Sequence, residues 1–319
     1  MHNSGLTAFE PVLKPKDIAA AALVVLIWGL NFVAMKIGLA YFTPFQLGAG
    51  RFALSLLPLA FFVRFPAVPL EWLVAYGLTQ GLGQFGLMLV ALKIGMSAAL
   101  ASVLVQTQVF FTALLGMFLL RERIAAPLKW GMAFAALGLL TFGANVWLAE
   151  GEAVTLTGLL LTLGAAMMWA LSNIVVRQAQ RDSAAFDAVA LVVWSSAIPI
   201  LPFLALSCLF DAPEDHANWR DAAPIGWLAL AAIGWLATNV AYGLWTSLLK
   251  RFPASLVAPF SLAMPLIGII AGIVLLDEVV SPLQWLGATL IVAALLCVIF
   301  GQRILKSLSP PSRTCRRRR

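Results

Sequence analysis

The chain has 319 residues, 62% hydrophobic and only 11% charged, with a formal net charge of +7 and a mean hydropathy of +0.95. A soluble protein of this length could not cover so apolar a sequence with a polar surface, so soluble enzymes and soluble binding modules are excluded. Apolar segments of the roughly 20 residues needed to cross a ~30 Å hydrocarbon layer recur along nearly the whole sequence, which points to an all-α polytopic membrane protein.

Residues 1–17 are polar and hold no apolar core ahead of a cleavage site, so no secretory signal is read there. Ten transmembrane helices are then predicted, at about 18–38, 45–63, 72–92, 97–119, 127–148, 155–178, 186–209, 224–246, 254–275 and 282–302. The connections are short and carry turn residues such as Thr43-Pro44, Ala126-Pro127, Phe252-Pro253 and Ser281-Pro282. The longest, "FDAPEDHANWRDAA" at 210–223, is polar and acidic and is expected outside lipid. A basic segment, 303–319, ends in "SRTCRRRR" and reads as an anchor on anionic lipid rather than as a nucleic-acid site. Cys208, Cys297 and Cys315 are too scattered for a disulfide framework or a CxxC site.

With the N-terminus placed in the cytoplasm, 17 Lys and Arg fall on the inner side and three, Lys36, Lys93 and Arg220, on the outer side. Arg51 falls inside the second helix. This split predicts a multi-pass protein with both termini cytoplasmic.

The sequence also repeats. "WGLNFVAMK" (28–36) matches "WALSNIVVR" (169–177) at an offset of 141, and "LLRERIAAPLKWG" (119–131) matches "LLDEVVSPLQWLG" (275–287) at an offset of 156. The second match aligns Glu122 with Glu278 and Gly131 with Gly287. Two units of five helices follow, 18–148 and 155–302. An odd number of crossings inverts the second unit relative to the first, an arrangement of secondary transporters with a substrate site between the halves.

Two five-helix repeats, each with a Glu at the end of its fourth helix and a Gly nine residues later, resemble the EamA family of the drug/metabolite transporter superfamily. The resemblance spans residues 18 to 302. It is carried further by "WGLNFVAMKIGL", the "GRF" at 50–52, "ASVLVQTQVFFT" (101–112), "WALSNI" (169–174) and "VVWSSAIPI" (192–200). It implies export of small polar metabolites by alternating access, with cysteine-pathway compounds such as O-acetylserine and cysteine as substrates and no cofactor. The long acidic loop and the arginine tail depart from the family pattern.

Polar residues inside the helices are costly in lipid and should face a cavity or another helix. Trp28 and Asn31 in helix one, Gln84 with Gln80 in helix three, Asn173 with Ser172 in helix six, and Asn239 with Tyr242 in helix eight are the candidate lining. Gln106 and Gln108 in helix four stand about 200° apart at helical spacing, so one is expected in the cavity and the other between helices. The plainer role for any one of these is interhelical adhesion worth ~0.6 kcal/mol on average. Lys36 and Arg177 sit in the last turns of their helices, where a cation meets the negative helix end. Arg51 lies six residues into helix two, and its repeat position is the apolar Val192. It pairs either with a substrate carboxylate or with a carbonyl or acidic loop residue.

Glu122 and Glu278, and Pro259 and Pro265 in helix nine, are the candidate gating elements, since proline frees carbonyls and permits a bend. No HExxH, GxSxG or Walker sequence is present, and no Asp or Glu is expected mid-helix. The lining is therefore neutral and polar with one cation, which suits a small zwitterion crossing by facilitated diffusion, or coupled only through an end residue such as Glu122. Export of other amino acids or drugs, or a small-solute channel, are the competing readings.

Overall fold

The computed structural model describes residues 13–121, 126–148, 155–183, 185–252 and 254–308. Among these, nine helices are long and apolar enough to cross a membrane: α1 (Pro15–Gly38), α3 (Leu70–Lys93), α4 (Ala98–Leu119), α5 (Ala126–Val146), α6 (Leu156–Asp182), α7 (Ala188–Phe210), α8 (Pro224–Arg251), α9 (Pro259–Leu276) and α10 (Pro282–Gly301). The tenth, α2 (Pro44–Leu56), is too short to span alone. Exposed side chains such as Phe118, Leu140, Leu201 and Val274 make an outer surface fit for acyl chains.

The shortness of α2 differs from the helix expected over 45–63, and the cause is local. Pro58 cannot donate to the carbonyl of Leu54 and pushes Leu57 out of the helical region, to φ −96° and ψ 134°. The chain continues as a 3₁₀ turn, Leu59–Phe61. The indole N–H of Trp235 on α8 takes the orphaned Leu54 carbonyl at 2.6 Å and the Leu57 carbonyl at 3.1 Å, so the break is satisfied from a neighbouring helix.

The packing shows the two inverted repeats directly. α1 lies on α8 and α9, and its counterpart α6 lies on α3 and α4. α2 packs on α7, α4 on α9 and α5 on α10, so each remaining helix meets its own equivalent across a pseudo-twofold axis. The local backbone follows the same symmetry. A π-helical stretch interrupts α3 at Gly77–Phe85 and α8 at Ala232–Val240. A 3₁₀ stretch interrupts α4 at Val105–Thr107 and opens α9 at Ala258–Leu262. The helices ending at Leu120 and Leu276 close on left-handed residues, Arg121 (φ 55°) and Asp277 (φ 52°). The "LLRE" and "LLDE" repeat is thus a shared helix stop.

Small residues set the closest approaches. Gly77 and Gly81, one turn apart on α3, face Ile198 and Pro199 of α7. Gly268 of α9 faces Ser102 of α4, and a Cβ there would collide with the Ser102 hydroxyl oxygen. Gly268→Ala should therefore destabilise the protein by about 1–3 kcal/mol, and adding Ser102→Gly should recover much of that loss. Thermal unfolding of the detergent-solubilised variants checks it, and equal losses in the single and double variants would contradict this contact.

Candidate functional site

A cavity of ≈ 280 Å³ lies between the two repeats. It is walled by Trp28 of α1, Gln106 and Gln108 of α4, Trp169 and Asn173 of α6, Tyr242 and Trp245 of α8, and Ser261 of α9, with Met264, Leu295 and Val298 among its apolar members. Its wall residues stand near the middle of α1 and α4 and, on α6 and α8, from the middle toward the ends that carry Arg181 and Arg251.

Each polar wall residue named next is held by a definite partner. The Trp28 indole donates to the Ala237 carbonyl at 3.0 Å, and its ring lies 5.2 Å from that of Tyr242 and 5.5 Å from that of Trp245. Asn173 donates to the Gln108 side-chain oxygen at 2.9 Å and to the Thr112 hydroxyl at 3.1 Å, joining α6 to α4. Trp28 and Trp169 are equivalent in the repeats, so an indole comes from each half. No charged side chain lines the cavity among the described residues.

Of the lining expected from sequence, Trp28, Gln106, Asn173 and Tyr242 stand in the wall. The expectation that only one of Gln106 and Gln108 could face a common cavity is corrected, because both do. The 3₁₀ turn at Val105–Thr107 separates them. At roughly 120° per residue their angular separation narrows from about 160° to about 120°, within reach of one broad cavity.

The other four lie outside this wall. Gln84 is buried and accepts from Gln80, which also accepts from the Ser172 hydroxyl, so this network joins α3 to α6. Asn239 donates to the Ser55 carbonyl at 3.0 Å and accepts from the Ser55 hydroxyl at 3.1 Å, fastening α8 to α2. Asn31 meets the Met35 sulfur within α1 at 4.0 Å. Arg51 is buried on α2 with one hydrogen bond, to the Thr238 hydroxyl at 3.1 Å. No carbonyl or carboxylate pairs with it among the described residues, so neither structural partner expected from sequence is present there.

The wall residues not singled out from sequence are Trp169, Trp245 and Ser261. Trp169 carried a readable signal, its repeat match to Trp28. Trp245 and Ser261 carried none, because a tryptophan in a lipid-spanning helix and a serine beside Pro259 have ordinary packing roles.

The opposite end of the bundle is closed by charge on helix termini. Lys36 of α1 donates to the Leu92 and Met96 carbonyls, each at 2.9 Å, where α3 ends. The Glu278 carboxylate accepts from the Ala98 and Ala99 amides at 2.7 and 2.8 Å, where α4 begins. Cation on carbonyls and anion on amides both match the helix dipoles, so α1 and the end of α9 grip the α3–α4 hairpin from two sides. Lys36 therefore does more than mark a helix end. Pro265 lies at the α4–α9 contact, its carbonyl 3.4 Å from the Ser102 hydroxyl, and Pro259 borders an apolar groove between α1 and α9. Glu122 lies outside the described residues.

Among the described residues, nine helices long enough to cross a membrane and the short α2, arranged as inverted repeats around a polar cavity, define a multi-pass membrane transporter rather than an enzyme. The chain belongs to the EamA-like transporter family, whose profile matches residues 16–143 and 156–300. It is 41% identical to a probable amino-acid metabolite efflux pump of Salmonella typhimurium, over 92% of this chain and 98% of that protein. It is 40% identical to a probable amino-acid metabolite efflux pump of Escherichia coli, over 93% and 99%. A crystal structure 18% identical in sequence superimposes with a TM-score of 0.60 over 92% of this chain and 100% of that one, a likeness of fold.

In a background with Cys208, Cys297 and Cys315 replaced, single cysteines at Asn173 and Ser261 should react with a small hydrophilic thiol reagent. Single cysteines at Gln84 and Ser102 should stay unreactive. Labelling of all four at the same rate would show that the cavity wall is drawn wrongly.

Proposed function

We propose that this protein exports small amino-acid metabolites from the bacterial cytoplasm across the inner membrane by alternating access. The observation that carries this reading is the mid-membrane cavity, with amides and indoles in its wall and no charge among the described residues. Side-chain amides both donate and accept hydrogen bonds, and the Trp28, Tyr242 and Trp245 cluster offers ring faces to an ammonium group. Kinship with two probable amino-acid metabolite efflux pumps supports the substrate class. The finer assignment, O-acetylserine and cysteine, rests on the sequence resemblance.

Orientation is part of the proposal. The 17 to three distribution of basic residues puts both termini, and the end toward which the cavity runs, in the cytoplasm. The clamp of Lys36 and Glu278 then forms the periplasmic seal, and the structure corresponds to a state loaded from inside. The repeats 18–148 and 155–302 move against each other, with α9 and its prolines as the hinge. The basic segment 303–319 rests on anionic lipid.

Cells expressing the protein should release labelled O-acetylserine or cysteine several-fold faster than cells without it, and should do so selectively against a panel of other amino acids. Release unchanged across the whole panel would dismiss amino-acid export. Gln106→Ala and Asn173→Ala should each raise the KM for export about tenfold with membrane expression intact, as expected for loss of a buried hydrogen bond of ~1–2 kcal/mol.

The seal is tested by Glu278→Gln, which keeps the shape but loses the charge-assisted bonds. A cysteine at the exposed Val279 should be labelled by an impermeant reagent from the periplasmic side. In the Glu278→Gln background, a second cysteine at Ser102 should gain reactivity to a small reagent from that side. An unreactive Ser102 site in both backgrounds would deny Glu278 a gating role. The described helices hold no Asp, Glu or His at mid-membrane, so flux in proteoliposomes should persist without an imposed pH gradient. Uphill transport driven by a pH gradient alone would place a proton carrier in the path.

A further inference from the structure

Arg51 presents an unusual electrostatic problem. It is 1% exposed, deep in the bundle, and its charge is permanent. One nitrogen, Nη2, donates to the Thr238 hydroxyl at 3.1 Å, while Nε and Nη1 find no hydrogen-bond partner among the described residues. The guanidinium lies over the Phe85 ring, 3.6 Å from its centroid, with Phe52 at 5.8 Å. Thr238 cannot turn to serve it better, because its hydroxyl already donates to the Ile233 carbonyl at 2.9 Å across the π-helical stretch of α8. A buried cation with unmet donors and no counter-ion costs several kcal/mol and marks a functional position.

Three residues that hold the guanidinium, Phe52, Phe85 and Thr238, also line a second, small cavity of ≈ 20 Å³. Tyr76, Gln80, Ser195, Ser196 and Tyr242 are the other polar members of its wall, and no acidic residue takes part among the described residues. Its walls come from α2, α3, α7 and α8, two pairs of helices equivalent in the repeats, so it sits on the pseudo-twofold axis. Val192, the repeat counterpart of Arg51, lines the same cavity. The Arg51 guanidinium therefore lies directly behind three wall residues of this chamber, whereas the isopropyl group of Val192 is itself part of the wall. Tyr242 belongs to the walls of both cavities. A long contact, 3.5 Å from the Gln80 side-chain nitrogen to the Tyr242 hydroxyl, ties Tyr242 into the partition between them.

We propose that Arg51 is the carboxylate subsite of the transport path, reached when Tyr242 and Gln80 part. The inference rests on the reading of the protein as an amino-acid metabolite exporter and extends it to the ligand's anionic group. The 280 Å³ cavity supplies ring faces and neutral amides but no counter-charge for a carboxylate. The unmet N–H groups of Arg51 supply it, one chamber further in. At ≈ 20 Å³ the inner chamber holds about one water molecule as it stands, so carboxylate entry is tied to movement on the axis about which the repeats exchange. A ligand whose carboxylate faces Arg51 and whose apolar part faces Val192 enters in one orientation.

The test uses the purified full-length chain and separates binding from transport. Propionate and propionamide, matched in size and differing in charge, are titrated into wild-type protein by calorimetry, and into Arg51→Gln and Arg51→Lys. Wild-type protein should bind propionate at least about tenfold more tightly than propionamide. Arg51→Gln should abolish that preference with propionamide binding unchanged, and Arg51→Lys should keep part of it. Equal binding of the two probes by wild-type protein, or a preference that survives in Arg51→Gln, overturns the proposal. The wild-type comparison decides even if Arg51→Gln does not fold. In proteoliposomes, counterflow of O-acetylserine against its methyl ester gives the second reading. A carboxylate preference in binding without export of any amino acid would leave the subsite standing and remove the exporter reading. Export of the ester as fast as the acid would do the reverse.

Discussion

Every backbone N–H and C=O at membrane depth must find a partner within the protein, because lipid offers none. A chain of plain helices satisfies this automatically but cannot easily open. This protein breaks its helices, and each of these breaks is repaired from a named neighbour. Pro58 frees the Leu54 carbonyl, and Trp235 takes it. The π-helical stretch in α8 leaves the Ile233 carbonyl to the Thr238 hydroxyl. The 3₁₀ turn in α4 leaves the Leu104 carbonyl to Thr107, at 2.7 Å. The free amides at the start of α4 go to Glu278. Of these residues, Thr238 also borders the inner cavity and Glu278 stands at the end of the bundle.

The symmetry of the breaks gives them a functional sense. Irregular backbone at membrane depth is tolerated where it lines a cavity or is buried in protein, and π-helical turns recur at functional sites. In this chain α3 and α8 carry matching π-helical stretches, and α4 and α9 matching 3₁₀ stretches. Of these, α4 and α9 pack directly on each other. Interchange of two conformations by inverted repeats requires that whatever bends in one half has an equivalent that bends in the other. The side chains do not obey the symmetry, and that is where specificity can reside: Arg51 has the apolar Val192 as its repeat counterpart, and Gln84 and Asn239, each the eighth residue of its π-helical stretch, part ways, one tied through Gln80 to α6 and the other to α2.

Much of this was legible in the sequence. Apolar segments and turn residues placed the helices to within a few residues, and the "LLRE"/"LLDE" match revealed the inverted repeats before any coordinates. Of the mid-helix positions singled out from sequence, Trp28, Gln106, Asn173 and Tyr242 stand in the wall of the larger cavity. What failed was the use of uniform helical geometry to choose directions. Gln106 and Gln108 share a cavity because α4 changes pitch between them, and α2 stops early because Pro58 outweighs a continuous apolar run. Polar residues also answer to more than one demand. Gln84, Asn239 and Asn31 looked like lining by composition, but an amide in a bundle satisfies its hydrogen bonds equally well on a neighbouring helix. Sequence tells which residues must be satisfied and leaves open by what.

The distribution of charge separates two jobs that a transporter must keep apart. At the sealed end, Lys36 and Glu278 address backbone groups whose partial charges they match, so each is satisfied without a mobile ligand. Such contacts stabilise one conformation, and their strength sets how long the seal stays shut. At the centre, Arg51 lacks that satisfaction, and the protein bears a desolvation cost in every molecule. That cost is useful only if something relieves it in part of the cycle. A ligand that brings a carboxylate to Arg51 stabilises the conformation in which the inner chamber is open, and by linkage shifts the population toward it. A ligand without an anionic group leaves the guanidinium unmet and shifts nothing. With Arg51 as the proposed carboxylate subsite, the same unmet charge that destabilises the empty protein would make opening conditional on the presence of cargo.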